Sequence, residues 1–419
     1  MKMKKYLIIK NARQILTMRG FSDKPKIKKE MADLGIVENG VIICEDDKIL
    51  AVGKNEILKK NRSRFAKVID ASNKVVMPGF VDCHTHLVFS GNRADEFSEK
   101  LKGTPYLEIL AKGGGILSTV KKTREALNSN WKGLKGSCLK RLKMALSLGT
   151  TTMEIKSGYG LDLKSELAML EMIKELQKSQ LADLIPTLLG AHMIPPEIKR
   201  RADYVEQVFE MIGQARRKKL AEFCDVFCED KAFTLEETRE ILEKAKKTGL
   251  KLKLHASQFN DLGAVELGVE LGAISIDHLE RISDSGIKLM AKTKTIGVLL
   301  PGCEFHLGTK NYAPSRKMID EGVPIALATD FNPGSSPILS IPVILGLACR
   351  ELKMTPEEAI SAVTINAAHA LCRGGEIGSL EPGKKADILI LDIADYRELP
   401  YWFGMNPVSK VIKNGKVVI

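Results

Sequence analysis

The sequence predicts an α/β protein: a (β/α)8 TIM barrel carrying a small β-sandwich built from both chain termini. Three observations carry that reading. Between about residues 76 and 370, short apolar runs alternate with longer segments of helical periodicity, the pattern of parallel strands joined by crossover helices. The two ends lack that periodicity and read as short β segments separated by turn residues. Polar residues able to bind a metal stand at the ends of several apolar runs, where barrels of this type place their chemistry.

The expected barrel strands are 76–83, 150–156, 184–190, 224–229, 250–255, 273–277, 295–300 and 324–329. Helices fall between them, for instance 164–178, where Leu167, Leu170, Ile173 and Leu176 share a face, and 235–248. A doubly wound sheet is the competing arrangement, but no G-x-G-x-x-G follows any of these runs. Residues 1–75 offer β segments at Tyr6–Lys10, Ile36–Glu38, Gly40–Cys44, Lys48–Val52 and Lys67–Asp70. The tail, 371–419, offers Asp387–Leu391 and Val408–Val418. Chain ends often lie close together, so these two parts can pair around a barrel spanning 76–370.

Composition narrows the function. The chain has 419 residues, 44% of them hydrophobic and 28% charged, ordinary values for a globular protein with a sizeable core. No apolar run approaches the roughly 18 residues of a membrane span. The basic start is interrupted by Lys10 and Arg13 too early for a signal peptide, so the expectation is a cytoplasmic enzyme without a membrane partner. Eight cysteines are scattered with no C-x-x-C pair, which argues against a disulfide scaffold. The net charge of +12 is spread along the chain and aromatics are only 5%, so stacking platforms for nucleic acid are scarce. A lysine-rich surface steering a small anionic substrate fits better.

The chemistry concentrates in Val81-Asp82-Cys83-His84-Thr85-His86. Residues two apart on a strand face the same way, so His84 and His86 form half of a metal site. His255 ends the fifth run, followed by Gln258; His278 ends the sixth; Asp330 ends the eighth and leads into Asn332, Gly334 and Ser335. Three imidazoles and a carboxylate, with a histidine to spare, suit a first-row divalent ion. Lys251 and Lys253 are in phase with His255, so either their amines reach the far end of the barrel or a bulge shifts the phase. Lys156 ends the second run rather than the fourth, which ends in Cys228-Glu229-Asp230.

The H-x-H run, the later His, His and Asp, and the tail pattern G-x-x-x-x-G-x-x-A-D ending at Asp387 resemble the amidohydrolase superfamily. Gly91-Asn92-Arg93, Gly113-Gly114-Gly115-Ile116, Glu154-Ile155-Lys156-Ser157-Gly158-Tyr159-Gly160, Leu189-Gly190-Ala191-His192 and Thr329–Ser335 are similar, more closely, to the imidazolonepropionase family. The resemblance implies hydrolysis of 4-imidazolone-5-propanoate to N-formimidoyl-L-glutamate, a step of histidine breakdown. It implies one Zn2+ or Fe2+ on His84, His86, His255 and Asp330. By the same resemblance, a carboxylated lysine bridging two metals would end the fourth run, so its absence there implies one metal, with Glu229 the remaining candidate to bridge a second. Arg93 would then clamp the propanoate carboxylate, Tyr159 and His192 would hold the ring, and Asn332, Gly334 and Ser335 would contact it. Each has a plainer alternative: Arg93 could pair with Asp95 or Glu96, Tyr159 could anchor its loop, and His192 could be structural. His306 and His369 are read as structural or surface residues.

Some members of that family carry Glu where Gln258 stands, and a glutamine amide cannot accept a proton. Asp330 is therefore expected to take the proton of water, with His278 polarising the carbonyl and Gln258 hydrogen-bonding the substrate. A homodimer is expected. The competing functions are another cyclic amidohydrolase, a nucleobase aminohydrolase, or a barrel without catalysis that serves in assembly.

Overall fold

The computed structural model describes residues 4–60, 66–104, 108 and 113–419. The N-terminal part supplies β1 (Tyr6–Ile15), β2 (Val37–Glu45), β3 (Lys48–Gly53), β4 (Lys67–Asp70) and β5 (Val75–Pro78). The barrel strands follow as β6 (Phe80–Asp82), β7 (Thr150–Lys156), β8 (Asp183–Ala191) and β9 (Phe223–Cys228), then β10 (Lys251–Ala256), β11 (Ser275–His278), β12 (Ile296–Leu299) and β13 (Ile325–Leu327). The tail adds β14 (Ile388–Leu391), β15 (Val408–Lys413) and β16 (Lys416–Val417).

Strands β6 to β13 pair in parallel in chain order. The ring closes just past β6 and β13, where Thr85 bridges Phe331. There Asp330 N donates to His84 O at 3.0 Å and His86 N to Phe331 O at 2.9 Å. Closure therefore lays the H-x-H segment directly beside Asp330. The intervening helices keep the expected limits: Leu163–Ser179 starts at Asp162, whose carboxylate accepts from Ser165 N at 2.8 Å. Leu235–Thr248 is opened by reciprocal Thr234 and Glu237 bonds and closed by Gly249 at φ +84°.

The run expected as one strand, 76–83, is divided at Gly79. Upstream, β5 pairs with β14 and β1; downstream, β6 pairs with β7. A Cβ on Gly79 would lie 2.1 Å from Thr151 Oγ1, so only glycine lets the chain cross between the sheets there. The termini join in one mixed sheet, ordered β16-β15-β14-β5-β1-β2-β3 with β4 beside β1, as expected of a small β domain built from both chain ends. One face buries Ile9, Ile15, Ile42, Val76, Ile388 and Ile412 together. Ile8, Val41 and Ile43 pack on the other, against Ile57 and Leu58. Asp183, at the start of β8, receives Lys413 Nζ at 2.8 Å and Lys385 Nζ at 3.1 Å, pinning this sheet to the barrel.

Candidate metal centre and its supporting loops

Three of the eight strands, with the closing segment after β13, bring His84, His86, His255, His278 and Asp330 to one end of the barrel, all buried. The His84 and His255 ring centroids are 4.5 Å apart, and those of His255 and His278 5.4 Å. His84 Nε2 and His86 Nε2 lie 3.5 and 3.6 Å from Asp330 Oδ1. These spacings are long for hydrogen bonds but close to the roughly 3.4 Å separating ligands of a tetrahedral ion.

Carboxylates beneath decide which nitrogens face the cluster. His84 Nδ1 donates to Asp277 Oδ2 at 2.6 Å, and His255 Nδ1 lies 3.0 Å from Asp225 Oδ2. In both rings Nε2 is left buried without a hydrogen-bond partner, and the His255 Nδ1 approach to Asp225 is a charge contact rather than an aligned hydrogen bond. Burial, with help from neighbouring Lys156, drives the pKa of His84 and His255 well below the ordinary value, which keeps them in the neutral form that coordinates metals. The residues present therefore fit a divalent ion. The backbone is strained where it aims these groups: Ser257, His278, Leu279 and Asp330 all have φ between +51° and +84°. Such non-glycine geometry costs about 1–3 kcal/mol per residue and persists only where the surroundings enforce it.

Below the histidines lies a layer that sequence reading did not foresee. Glu154, Lys156, Asp225, Lys253 and Asp277 are all completely buried inside the barrel. Lys156 Nζ reaches Asp225 at 2.7 Å and Glu154 at 3.1 Å; Lys253 Nζ reaches Glu154 at 2.9 Å and Cys83 O at 2.9 Å. Lys253 thus neither extends to the far end nor shifts phase by a bulge: it stays in the interior because Glu154 meets it from β7 across the barrel, with Asp277 of adjacent β11 3.8 Å away. Lys251, at the strand start, is half-buried with its ammonium 5.3 Å from the Phe223 ring centre. Burial opposes the charge on Lys156, but Asp225 and Glu154 outweigh it and raise its pKa. A charged amine held by two carboxylates is not the carboxylated bridging lysine of a two-metal site.

The expected substrate residues sit around the rim, each steadied by a carboxylate or amide. Tyr159 is buried 5.8 Å from the His86 ring, and His192 stacks on His86 at 5.2 Å. Glu166, fully buried, accepts from the backbone N–H groups of Gly158, Gly160 and Leu161 and so shapes the Tyr159 loop. His192 Nδ1 donates to Gly158 O at 2.9 Å. Gln258 is buried with Nε2 3.6 Å from Cys303 Sγ.

Glu229, considered as a bridge to a second metal, has another task. Its two oxygens accept from Asp230 N, Phe259 N, Asn260 N and Asn260 Nδ2, fastening the Gln258 loop to β9. That occupancy removes it as a metal bridge. Arg93 does pair with Glu96, through Nε at 2.8 Å and Nη2 at 2.7 Å. Glu96 also accepts from Gly115 N and Ser118 Oγ. The opposite side of the guanidinium lies against Gly334, where a Cβ would come within 2.0 Å of Nη1. Asn332 spends both ends of its amide inside its own loop, on Gly334 N, Ser335 N, Asp330 O and Ser335 Oγ. The Asn332 side chain is thus committed to shaping its own loop. His369 Nε2 donates to Phe21 O and His306 stacks on Phe97; neither joins the cluster.

The sequence profile of the amidohydrolase family matches residues 75–418, and the chain belongs to that family: a barrel with a His/Asp cluster that can hold a metal. Among relatives, the imidazolonepropionase of Geobacillus kaustophilus is 49% identical over 99% of this chain and 98% of its own length. That of Clostridium tetani is 48% identical over 98% of each. Within the amidohydrolases, this is a member of the imidazolonepropionase family. Among solved structures, Escherichia coli guanine deaminase superposes with a TM-score of 0.73 at 15% identity, covering 99% of both chains. An adenosine deaminase from Xanthomonas campestris with bound zinc gives 0.71 at 16%, covering 98% of this chain and 92% of that one. These two likenesses are of fold.

Proposed function

We propose that this protein hydrolyses the ring amide of 4-imidazolone-5-propanoate to N-formimidoyl-L-glutamate, a step of histidine degradation. The observation that carries the reading is the Arg93 guanidinium, held by Glu96 at the rim of the His/Asp cluster, in a chain sharing 46–49% identity with curated imidazolonepropionases. That geometry suits a small cyclic substrate bearing a carboxylate.

One divalent ion, Zn2+ or Fe2+, would be held by His84, His86, His255 and Asp330, and when bound supplies Lewis acidity and a water whose pKa falls to about 7. Arg93 presents its Nη edge to the substrate carboxylate, a geometry matched to bidentate pairing. Tyr159 and His192 enclose the ring, and Gln258 hydrogen-bonds it without exchanging a proton. Without the ion, burial pushes the Asp330 carboxyl up to about 7, against the pull of His278; its place beside the cluster suits it to pass a proton between water and the ring. Asp330 takes the proton of water and returns it to the ring nitrogen as the carbonyl carbon gains oxygen and the carbon–nitrogen bond breaks. His278 polarises the carbonyl; burial alone would lower its pKa, but Glu280, with Asp330 and Asp277, raises it to about 9.

We take the barrel unit as the sequence suggests, 76–370 between terminal parts 1–75 and 371–419, with its start moved to Gly79 because β5 pairs within the terminal sheet. No helix among the described residues is long and apolar enough to cross a membrane, and we read the protein as a cytoplasmic homodimer acting without nucleic acid. The deciding experiment compares turnover of imidazolone propanoate with that of guanine, cytosine and adenosine on one metal-analysed preparation. Turnover confined to imidazolone propanoate is expected. Deamination of a nucleobase with no ring opening of the propanoate would replace this reading.

A further inference from the structure

We propose that Glu280 is a positioning residue for the reaction, acting through His278. The inference rests on the function proposed above. Glu280 lies two residues beyond His278, outside β11, and is buried with 7% of its surface exposed. A lone carboxylate is rarely buried without a cationic or hydrogen-bonding partner. Among the described residues its one ion-pair partner is the His278 ring, with Oε1 3.5 Å from Nδ1, a charge contact and not a formed hydrogen bond, since Nδ1 is itself buried without a hydrogen-bond partner. Its other oxygen, Oε2, is buried with no hydrogen-bond partner at all.

The backbone is bent to make this pairing. A strand sends alternate side chains to opposite faces, so along a regular extension of β11 His278 and Glu280 would project side by side from one face, about 6.6 Å apart, with neither turned toward the other. Instead His278 and Leu279 adopt φ of +84° and +72° in succession, a conformation that neither residue favours. Two backbone bonds brace the turn: Leu279 N donates to Ala256 O at 3.2 Å and Arg281 N to Ser257 O at 2.7 Å. The chain thus doubles back at the mouth, and Glu280 is brought under the Nδ1 edge of the imidazole. With Nδ1 turned toward Glu280, Nε2 is the nitrogen left to face the substrate carbonyl. Asp277 holds His84 by a hydrogen bond and Asp225 lies 3.0 Å from His255 Nδ1, so each of these three rings has a carboxylate at its Nδ1 edge. Glu280 differs in that no lysine among the described residues pairs with it.

The test is a double-mutant cycle on the metal-loaded enzyme with imidazolone propanoate, using Glu280→Gln, His278→Ala and the pair. Glu280→Gln keeps shape but not charge. It should lower kcat by about tenfold or more, within the range polarising groups supply, while KM, metal content and thermal midpoint stay at wild-type values. On the His278→Ala background it should cause no further loss, because its route to the substrate is gone. Independently of turnover, the exchange rate of the His278 C2 hydrogen, read by mass spectrometry on metal-free protein, should shift in Glu280→Gln. A Glu280→Gln enzyme with normal kcat, a loss that multiplies with that of His278→Ala, or a variant that sheds metal or fails to fold would each overturn the proposal. Wild-type protein that leaves imidazolone propanoate intact would instead refute the functional reading, so the two failures are told apart.

Discussion

The lower and upper halves of the barrel interior handle buried polarity in opposite ways. Below, Glu154, Asp225 and Asp277 are met by Lys156 and Lys253, and both ammonium groups are paired. Above, His84 and His255 keep buried Nε2 atoms that no protein group satisfies. Buried polar atoms are almost always hydrogen-bonded in native proteins. The lower layer is therefore closed almost entirely by its own charges, Asp225 Oδ1 being its one carboxylate oxygen without a hydrogen-bond partner, whereas the upper one turns its unpaired imidazole nitrogens toward something that is not protein. The two are joined, since Asp277 and Asp225 serve both the lysines and the histidines.

The largest expected effect comes from emptying the upper layer. Asp330→Ala or His255→Ala should abolish both bound metal and turnover while leaving the circular dichroism spectrum intact. Metal analysis showing full occupancy in either variant would break the contrast between the halves. Next comes the lower layer. Lys253→Met leaves Glu154 and Asp277 short of a cation, and breaking a buried pair costs about 3–5 kcal/mol. The denaturation midpoint of metal-free protein should fall accordingly, and an unchanged midpoint would mean that this layer is not holding the barrel.

Arg93→Ala tests the rim rather than either layer. Leaving a partner charge unpaired typically costs about 2–5 kcal/mol, so kcat/KM for imidazolone propanoate should drop by that equivalent with metal content unchanged. Turnover of the propanoate at the wild-type level would remove the clamp. Asp277→Asn probes the joint between the halves. Loss of such an orienting partner typically costs about 10–100-fold in metal affinity, and competition against a chelator should show it. Equal affinity would mean that His84 orients itself.

The upper half was legible in the sequence and the lower half was not, for a physical reason. His84, His86, His255 and His278 carry a rare residue type at strand ends, so seven histidines among 419 residues leave little room for coincidence. Lys156 and Lys253 belong to an abundant type usually found on surfaces, and their partners lie far along the chain: Lys253 and Glu154 are 99 positions apart. Strand phase did point Lys253 inward, but only the fold shows what meets it. Glu166, Glu229 and Glu96 stayed hidden similarly, since a glutamate that gathers backbone N–H groups has no spacing signature. Gly79 hid the split of 76–83, because an unbroken apolar run carries no mark of passing from one sheet to another.

The most direct test of the contrast is the metal stoichiometry of purified wild-type protein, dialysed and then loaded with excess Zn2+ or Fe2+. The account predicts one tightly held ion per chain, with activity rising in proportion to occupancy. Two ions per chain at full activity, or full activity with no bound metal, would contradict it.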